Sequence, residues 1–232
     1  MSPEGVAFKW ETPLTENTKF FANGGSFFLY ESSSSYDEPT IFGIQGGLSG
    51  KFIGRDYKTG VTYYDFHNFT GTGLTVATIF PGKQVNTNTL SNSMYVYDYN
   101  IVDFNAEYNP LTIDLFGKTL PVKLYGNYLK NIAHGVRYDK GWLVGFQLGK
   151  AAAPGDWDFG YSYRVLQADA MIAELVDSDF HAGGTNGKGH KFSLNYMLLK
   201  NTSLGLTFFN TWQDTGTKNY KNILQVDLNF KF

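Results

Sequence analysis

The last nine residues of the chain read Leu224-Gln225-Val226-Asp227-Leu228-Asn229-Phe230-Lys231-Phe232, and apolar and polar side chains alternate in them without a break. Successive side chains of a β-strand point to opposite faces, so this segment predicts a strand with one apolar and one polar face. A strand of this kind can lie at the edge of a soluble sheet, but soluble proteins rarely end on an aromatic residue that also ends the alternation.

The end of this strand carries a more specific signal. Val226, Leu228 and Phe230 lie on its apolar face and Phe232 closes the chain. This pattern resembles the C-terminal signal of bacterial outer-membrane β-barrels, which the barrel-assembly machinery reads. The resemblance implies that Val226, Leu228, Phe230 and Phe232 form the assembly signal and that the assembly machinery is a partner.

The composition is compatible with a barrel. Aromatic residues make up 17% of the 232 residues, and the chain contains 16 Tyr, 20 Phe and 26 Gly. No apolar run approaches the roughly 18 residues that a membrane-spanning helix requires. Barrel strands do not need such a run, because half of each strand is polar. A length of 232 residues fits one all-β domain.

Charge and cysteine content exclude several classes of function. The net charge is −2, which argues against nucleic acid as a partner. Cysteine is absent, so no disulfide framework, thiolate nucleophile or thiolate metal site is expected. The first residues show no signal-peptide pattern, although an outer-membrane protein needs one, so we expect a mature or shortened chain.

Eleven segments alternate as strands do, and polar or glycine-rich stretches separate them. The predicted strands are 5–11, 18–30, 41–52, 59–68, 95–108, 120–131, 142–149, 157–165, 191–198, 203–208 and 224–232. Connections after strands one, three, seven and nine are short, and those after two, four, six, eight and ten are longer. Outer-membrane barrels have short periplasmic turns and long extracellular loops. The sequence therefore predicts a transmembrane antiparallel β-barrel of about 11–12 strands as the one domain, over 1–232.

The alternation also assigns faces. We expect one set of apolar side chains to face the lipid bilayer and aromatic residues at strand ends to form interfacial girdles. The lipid-facing set is Phe159, Tyr161, Phe192, Leu194, Leu206, Val226 and Leu228, and the girdle set is Trp10, Phe52, Trp142, Trp157 and Phe232. A lipocalin-like soluble barrel is the alternative, and it would place the apolar residues inside.

The strand count raises a question of closure. Eleven is odd, and strands one and eleven are both predicted to run towards the rim of short turns, so they cannot pair antiparallel with each other. We therefore expect an unpaired edge, an extra strand from elsewhere or a strand that the pattern does not reveal. The chain would then be the C-terminal part of a larger barrel, with missing N-terminal strands or a homo-oligomer completing it.

Several motifs resemble one family of Gram-negative bacteria. They are Gly155-Asp156-Trp157-Asp158-Phe159-Gly160-Tyr161-Ser162-Tyr163-Arg164, Asp177-Ser178-Asp179-Phe180, Gly183-Gly184-Thr185-Asn186-Gly187-Lys188-Gly189-His190, Leu204-Gly205-Leu206-Thr207-Phe208 and the C-terminal strand. Together they resemble the C-terminal region of the putative-porin family, best over roughly residues 95–232. The resemblance implies a channel in the outer membrane of a Gram-negative bacterium, without supplying a substrate.

The polar strand faces carry charges of both signs, as a water-filled passage for small hydrophilic solutes or ions would. Basic candidates for the wall are Lys123, Arg164 and Lys191, and acidic candidates are Asp103, Glu107 and Asp158. Small residues such as Gly145, Gly160 and Ser162 leave room beside them. The alternative is a non-conducting barrel, closed by salt bridges, that acts as an anchor or as a binding or adhesion protein through its loops.

A short run of good helix formers, residues 168–176, interrupts the alternation after strand eight. It lies in a long predicted loop that carries Asp169, Glu174, Asp177 and Asp179. We expect this loop to fold inward, so that its acidic groups face basic groups of the barrel and form a constriction. A loop that only caps the rim is the alternative.

No residues indicate an enzyme. His67, His134, His181 and His190 are not placed for a serine–histidine arrangement and are interpreted as solvated residues in or near loops. Asp177-Ser178-Asp179 begins like a calcium loop, but His181 occupies the third ligand position and no Glu closes the loop. We expect neither a metal nor a cofactor.

Overall fold

The computed structural model describes residues 4–29, 38–70, 75, 79 and 87–231. The described chain is almost entirely β. The strands are β1 (Glu4–Thr15), β2 (Thr18–Phe28), β3 (Thr40–Phe52), β4 (Arg55–His67), β5 (Leu90–Ser91), β6 (Met94–Tyr95), β7 (Tyr99–Leu115), β8 (Lys118–Asn131), β9 (Lys140–Gly149), β10 (Trp157–Leu166), β11 (Gly187–Leu199), β12 (Thr202–Gln213) and β13 (Tyr220–Phe230). Two 3-10 turns, Ala173–Leu175 and Phe180–Ala182, lie between β10 and β11. In the described part of the chain, no helix has the length and hydrophobicity needed to cross a membrane.

Eleven of these strands form one sheet in the order β1-β2-β3-β4-β7-β8-β9-β10-β11-β12-β13, and every neighbouring pair is antiparallel. The small hairpin β5–β6 stands apart. All eleven predicted strands are present, and the all-β antiparallel prediction is confirmed. The sheet remains open, with β1 and β13 as its two edges among the described residues. The expectation of an unpaired edge is therefore confirmed.

The largest difference from the predicted strands lies in β7, which was expected to end at Tyr108 but continues to Leu115. Pro110 cannot donate a ladder hydrogen bond, and the register shifts between Tyr108 and Leu111 to pass it. After this bulge the strand ends in a two-residue turn, Phe116-Gly117. Both turn residues have positive φ, 51° and 72°, as the favoured hairpin turns require.

The connections divide the sheet into two rims. The short-turn rim carries the links 16–17, 53–54, 116–117, 150–156 and 200–201, and the long-loop rim carries 29–39, 68–98, 132–139, 167–186 and 214–219. Each of the nine inner strands therefore joins a shorter link at one end to a longer link at the other. This asymmetry is typical of outer-membrane barrels.

The strand register puts the two kinds of side chain on opposite faces. Leu194 pairs with both Phe159 and Leu206, and Leu206 pairs with Val226, so these four lie on one apolar face. The whole predicted lipid-facing set shares this face through the same ladders. On the other side, the polar face, Arg164 lies in the same row as Thr211 and Lys221.

The polar face is the one that the connection 167–186 covers. Phe180 lies under the Arg164 guanidinium, with 4.8 Å from Cζ to the ring centre, and the His181 imidazole lies 3.2 Å from the Thr211 hydroxyl. Lys221 Nζ also donates a hydrogen bond to the backbone oxygen of His181 (3.3 Å). The apolar face keeps its large side chains exposed, with Val226 64% and Leu228 55% exposed. This arrangement is the inverse of a lipocalin-like interior.

An apolar cluster lies under the loops near the long-loop rim. It joins side chains from the strand ends to side chains from the connections 68–98 and 167–186, and its buried members are Leu29, Phe66, Phe69, Ile79, Tyr95, Tyr99, Ile101 and Ile172. Phe66, Phe69, Tyr95 and Tyr99 meet as ring pairs with centres 5.5–6.3 Å apart. Burial of these side chains holds the two longest connections against the polar face.

Candidate functional site

The predicted acidic wall residues lie on the polar face, and each of them has a partner. Asp103 accepts a hydrogen bond from Asn127 Nδ2, and Glu107 Oε2 lies 3.8 Å from Lys123 Nζ. Asp158 is buried and accepts hydrogen bonds from Asn195 Nδ2 (2.8 Å) and from the backbone N–H of Ala151 (3.2 Å). Their charges are thus balanced or solvated by neighbours on the same face.

Uncharged groups continue this polar wall towards β1. Asn23 Nδ2 donates to Gln45 Oε1 (2.9 Å), and Gln45 Nε2 donates to Thr62 Oγ1 (2.9 Å). These three residues sit directly opposite one another on β2, β3 and β4. The resulting ladder offers polar side chains to the covered side of the sheet, which suits a hydrated surface better than a packed core.

Arg164 and Lys191 meet the loop 167–186 at a small cavity. This cavity, which we call the basic cavity, has a volume of about 280 Å³. Its lining comprises Tyr125, Leu143, Gly160, Tyr161, Ser162, Arg164, Asp177, Phe180, Lys191 and Ser193. Asp177 interacts electrostatically with Arg164. The structure therefore brings together three of the predicted site residues, one acidic on the loop and two basic on the wall.

Asp169 lies elsewhere. Its side chain is fully buried, and its carboxylate accepts hydrogen bonds from the backbone N–H of Thr89 (2.7 Å) and from Thr89 Oγ1 (2.6 Å). Tyr99 OH lies 3.4 Å from the same carboxylate. Asp169 fixes one connection to another, and it does not face the basic groups of the wall as the sequence suggested.

Glu174 and Asp179 are also outside the basic cavity. Glu174 Oε2 accepts a hydrogen bond from Tyr95 OH (2.7 Å) and so joins the two long connections. Asp179 is exposed, and its backbone N–H donates to Asp177 Oδ1 (3.0 Å). Of the four acidic loop residues, only Asp177 lines the cavity.

A dense network that the sequence did not reveal locks the two longest connections together. Asn88 Nδ2 donates to the backbone oxygens of Ala168 (2.7 Å) and Met171 (2.8 Å), and Asn88 Oδ1 accepts from the Ala173 N–H (2.9 Å). Thr185 donates its N–H to Thr87 Oγ1 (2.6 Å). With Asp169, these contacts form the loop latch. Its partners lie about 80 residues or more apart, so no local pattern could have indicated them.

Two of the four histidines differ from their predicted setting, whereas His67 and His134 are exposed as expected. His181 is buried, which corrects the expectation of a solvated loop residue, and burial and nearby Lys221 lower its pKa below the ordinary value. His190 lies within β11 on the apolar face, 2.9 Å from Tyr161 OH and among the rings of Tyr163 and Trp212. Across the described ranges no group of three or more His, Asp or Glu side chains is placed to hold a metal ion.

Aromatic rings form a continuous belt on the apolar face beside the long-loop rim. Trp142 contacts Tyr163 (5.5 Å between centres), His190 links Tyr163 to Trp212, and Trp212 contacts Tyr220 (6.2 Å). Trp10 and Phe52 of the predicted girdle set are exposed, and Trp157 is half-buried. A belt at this level is typical of the membrane interface.

The predicted assembly signal is only partly visible. Val226, Leu228 and Phe230 lie on the apolar face of β13, at one edge of the sheet, and all three are exposed. Phe232 lies outside the described residues.

One of the comparisons with known proteins identifies a family. The model of a family described as "Putative porin" matches residues 96–232, which is more than half of the chain and includes β7 to β13. The search of curated proteins found no match.

Proposed function

Because the chain belongs to the putative-porin family, we propose that it forms a water-filled channel through which small hydrophilic solutes or ions diffuse passively across the outer membrane of a Gram-negative bacterium. The observation that carries this proposal is the charged, hydrogen-bonded face on the loop-covered side of an antiparallel sheet whose opposite face is apolar. Water on one side and lipid on the other is a setting that suits such a sheet and supports the proposal. The predicted partners are the lipid bilayer, the barrel-assembly machinery and the solutes.

The loop 167–186 would narrow the passage. Phe180 and Asp177 reach the wall residues Arg164 and Lys191, so opposite charges face each other across the basic cavity. A transverse field of this kind would favour some charged solutes over others. The wall pair Lys123 and Glu107 lies further from the long-loop rim and would continue the charged path.

A loop-replacement experiment tests this role. Leu166 and Gly187 are directly paired, so an Asn-Gly turn can replace residues 167–186 without stretching β10 or β11. Single-channel current in planar bilayers should rise and ion selectivity should change. The matched control shortens residues 133–137 on the same rim. An equal effect in both variants would contradict a specific constriction.

A second candidate is a closed barrel that acts as an anchor or as a loop-mediated binding or adhesion protein. The loop latch and the apolar cluster under it favour this candidate, since they fill part of the covered side. The same recordings separate the two. Absence of current both before and after loop replacement supports the closed barrel, and current in the intact protein contradicts it.

The two sheet edges limit how the barrel can be completed. β1 and β13 run in the same direction, because nine alternating strands lie between them in the sheet. A second copy in the same membrane orientation also presents only strands of that direction, so it cannot pair antiparallel with either edge. We propose that additional strands of a longer barrel complete the wall and that a homo-oligomer would pack through its apolar faces. Cross-linking of cysteines introduced at β1 and β13 to the remaining strands would test this.

A further inference from the structure

Two cationic side chains lie side by side on the polar face. Lys191 of β11 is directly opposite Ser162 of β10, and Arg164 is the next residue of β10 on that face. Such diagonal neighbours have Cβ atoms roughly 7 Å apart. Like charges at this separation repel each other unless an anion lies between them, so their placement needs a physical reason.

Neither cation has a carboxylate within ion-pair distance among the described residues, and Asp177 acts on Arg164 only through its longer-range charge. Among the described residues, Arg164 and Lys191 make no ion pair, whereas Lys118, Lys130 and Lys188 each have a carboxylate within 2.7–3.5 Å. Aromatic rings hold them instead: Arg164 Cζ lies 4.8 Å from the centre of Phe180, and Lys191 Nζ lies 5.1 Å from the centre of Phe209. A ring face positions a cation but leaves its N–H donors available.

The space between these cations is the basic cavity. Its volume of about 280 Å³ suits a solute of a few heavy atoms. The hydroxyl-bearing residues Tyr125, Ser162 and Ser193 line it together with Asp177. Two cations and one carboxylate leave one net positive charge, which one monovalent anion would balance.

We propose that the basic cavity binds small organic monocarboxylates, with the planar guanidinium of Arg164 gripping the carboxylate and Lys191 adding a second charged donor. A guanidinium matches the geometry of a carboxylate with two parallel hydrogen bonds. Asp177 disfavours anions of higher charge, because a second negative charge would be unbalanced. This inference rests on the proposed channel, in which the basic cavity is a binding site along the pore.

Binding can be measured on the folded protein in detergent micelles, without any conductance. Isothermal titration at low ionic strength should detect propionate and should not detect propionamide, its neutral isostere. Arg164→Gln and, independently, Lys191→Gln should each weaken propionate binding roughly tenfold or more. Lys58→Gln is the matched control, because Lys58 lies on the same face over the Phe21 ring (5.0 Å) but outside the basic cavity.

Any of three results would refute the proposed site. They are an affinity for propionamide equal to that for propionate, an equal loss of propionate affinity in Lys58→Gln, and unchanged propionate affinity in Arg164→Gln and in Lys191→Gln. Inorganic phosphate that binds more tightly than propionate, and loses that binding in Arg164→Gln, would refute the carboxylate class. Planar-bilayer recordings separate this inference from the channel itself. Propionate binding without current supports the binding site and rejects the channel. Current without propionate binding supports the channel and rejects the binding site.

Discussion

A lysine at the centre of the apolar face should be far more costly than a lysine one residue further along the same strand. Leu206 of β12 lies between Leu194 and Val226 on the apolar face, whereas Thr207 lies between Ser193 and Gln225 on the polar face. The substitutions Leu206→Lys and Thr207→Lys therefore place the same charge in the same strand on opposite sides of the sheet.

The position of Leu206 sets the magnitude. Leu206 is four residues from the start of β12 at Thr202, which is about 14 Å along the strand at ~3.4 Å per residue. A strand tilted by about 40° rises roughly 10 Å over that length, close to the middle of an apolar band about 25 Å tall. Lysine at the bilayer midplane costs about 2–4 kcal/mol, and lysine on a watery face costs little.

Reversible unfolding by urea in lipid vesicles measures the free energy of unfolding of each variant. We expect a loss of about 2–4 kcal/mol for Leu206→Lys and less than about 1 kcal/mol for Thr207→Lys. If Thr207→Lys is as costly as Leu206→Lys, or more so, the assignment of the two faces is wrong.

Three further predictions concern the loops and the wall. Asp169→Asn removes the charge from two hydrogen bonds to Thr89 (2.7 and 2.6 Å), so the stabilisation free energy of the loop latch should fall by about 1–3 kcal/mol. This loss should appear as faster proteolysis within 167–186. Substitution of an exposed residue, Asp179→Asn, is the control, and equal proteolysis rates in the two variants would contradict the latch. Burial and Lys221 keep the pKa of His181 below the unfolded value of about 6.5, so its contribution to stability is present at neutral pH and is lost as the pH falls below about 6.5. Hydrogen-exchange protection factors in 180–187, which are corrected for the intrinsic pH dependence of exchange, should therefore fall on acidification. A His181→Gln variant with the same pH dependence would refute this cause. A Cβ at Gly47 would collide with Thr59 O and the Phe21 ring, whereas a Cβ at Gly46 would lie at an ordinary 3.7 Å from Phe20. Gly47→Ala should therefore lower the free energy of unfolding by about 1–3 kcal/mol in the same urea assay, and Gly46→Ala should lower it clearly less.

The strands and their faces could be predicted from the sequence because the strand period is local. Val226, Leu228 and Phe230 alternate with polar neighbours, and the same rule correctly placed Arg164, Lys191 and Asp103 together on the opposite face. The strands could also be counted from the sequence, and their odd number correctly predicted the unpaired edges at β1 and β13. The bulge that carries β7 past Pro110 was missed, since a proline at that point equally suggests the end of a strand.

What only the tertiary structure decided is which loop residue meets which wall residue. The sequence grouped Asp169, Glu174, Asp177 and Asp179 as one acidic set, yet Asp169 and Glu174 are bound to the connection 68–98, Asp179 is exposed and Asp177 alone lines the basic cavity. Asn88 showed no sign of its role, and His181 is buried rather than solvated. These outcomes depend on contacts between residues tens of positions apart. The free energy of those contacts is gained only when the sheet brings the two longest connections over the same face. The periodicity within one strand therefore cannot predict them.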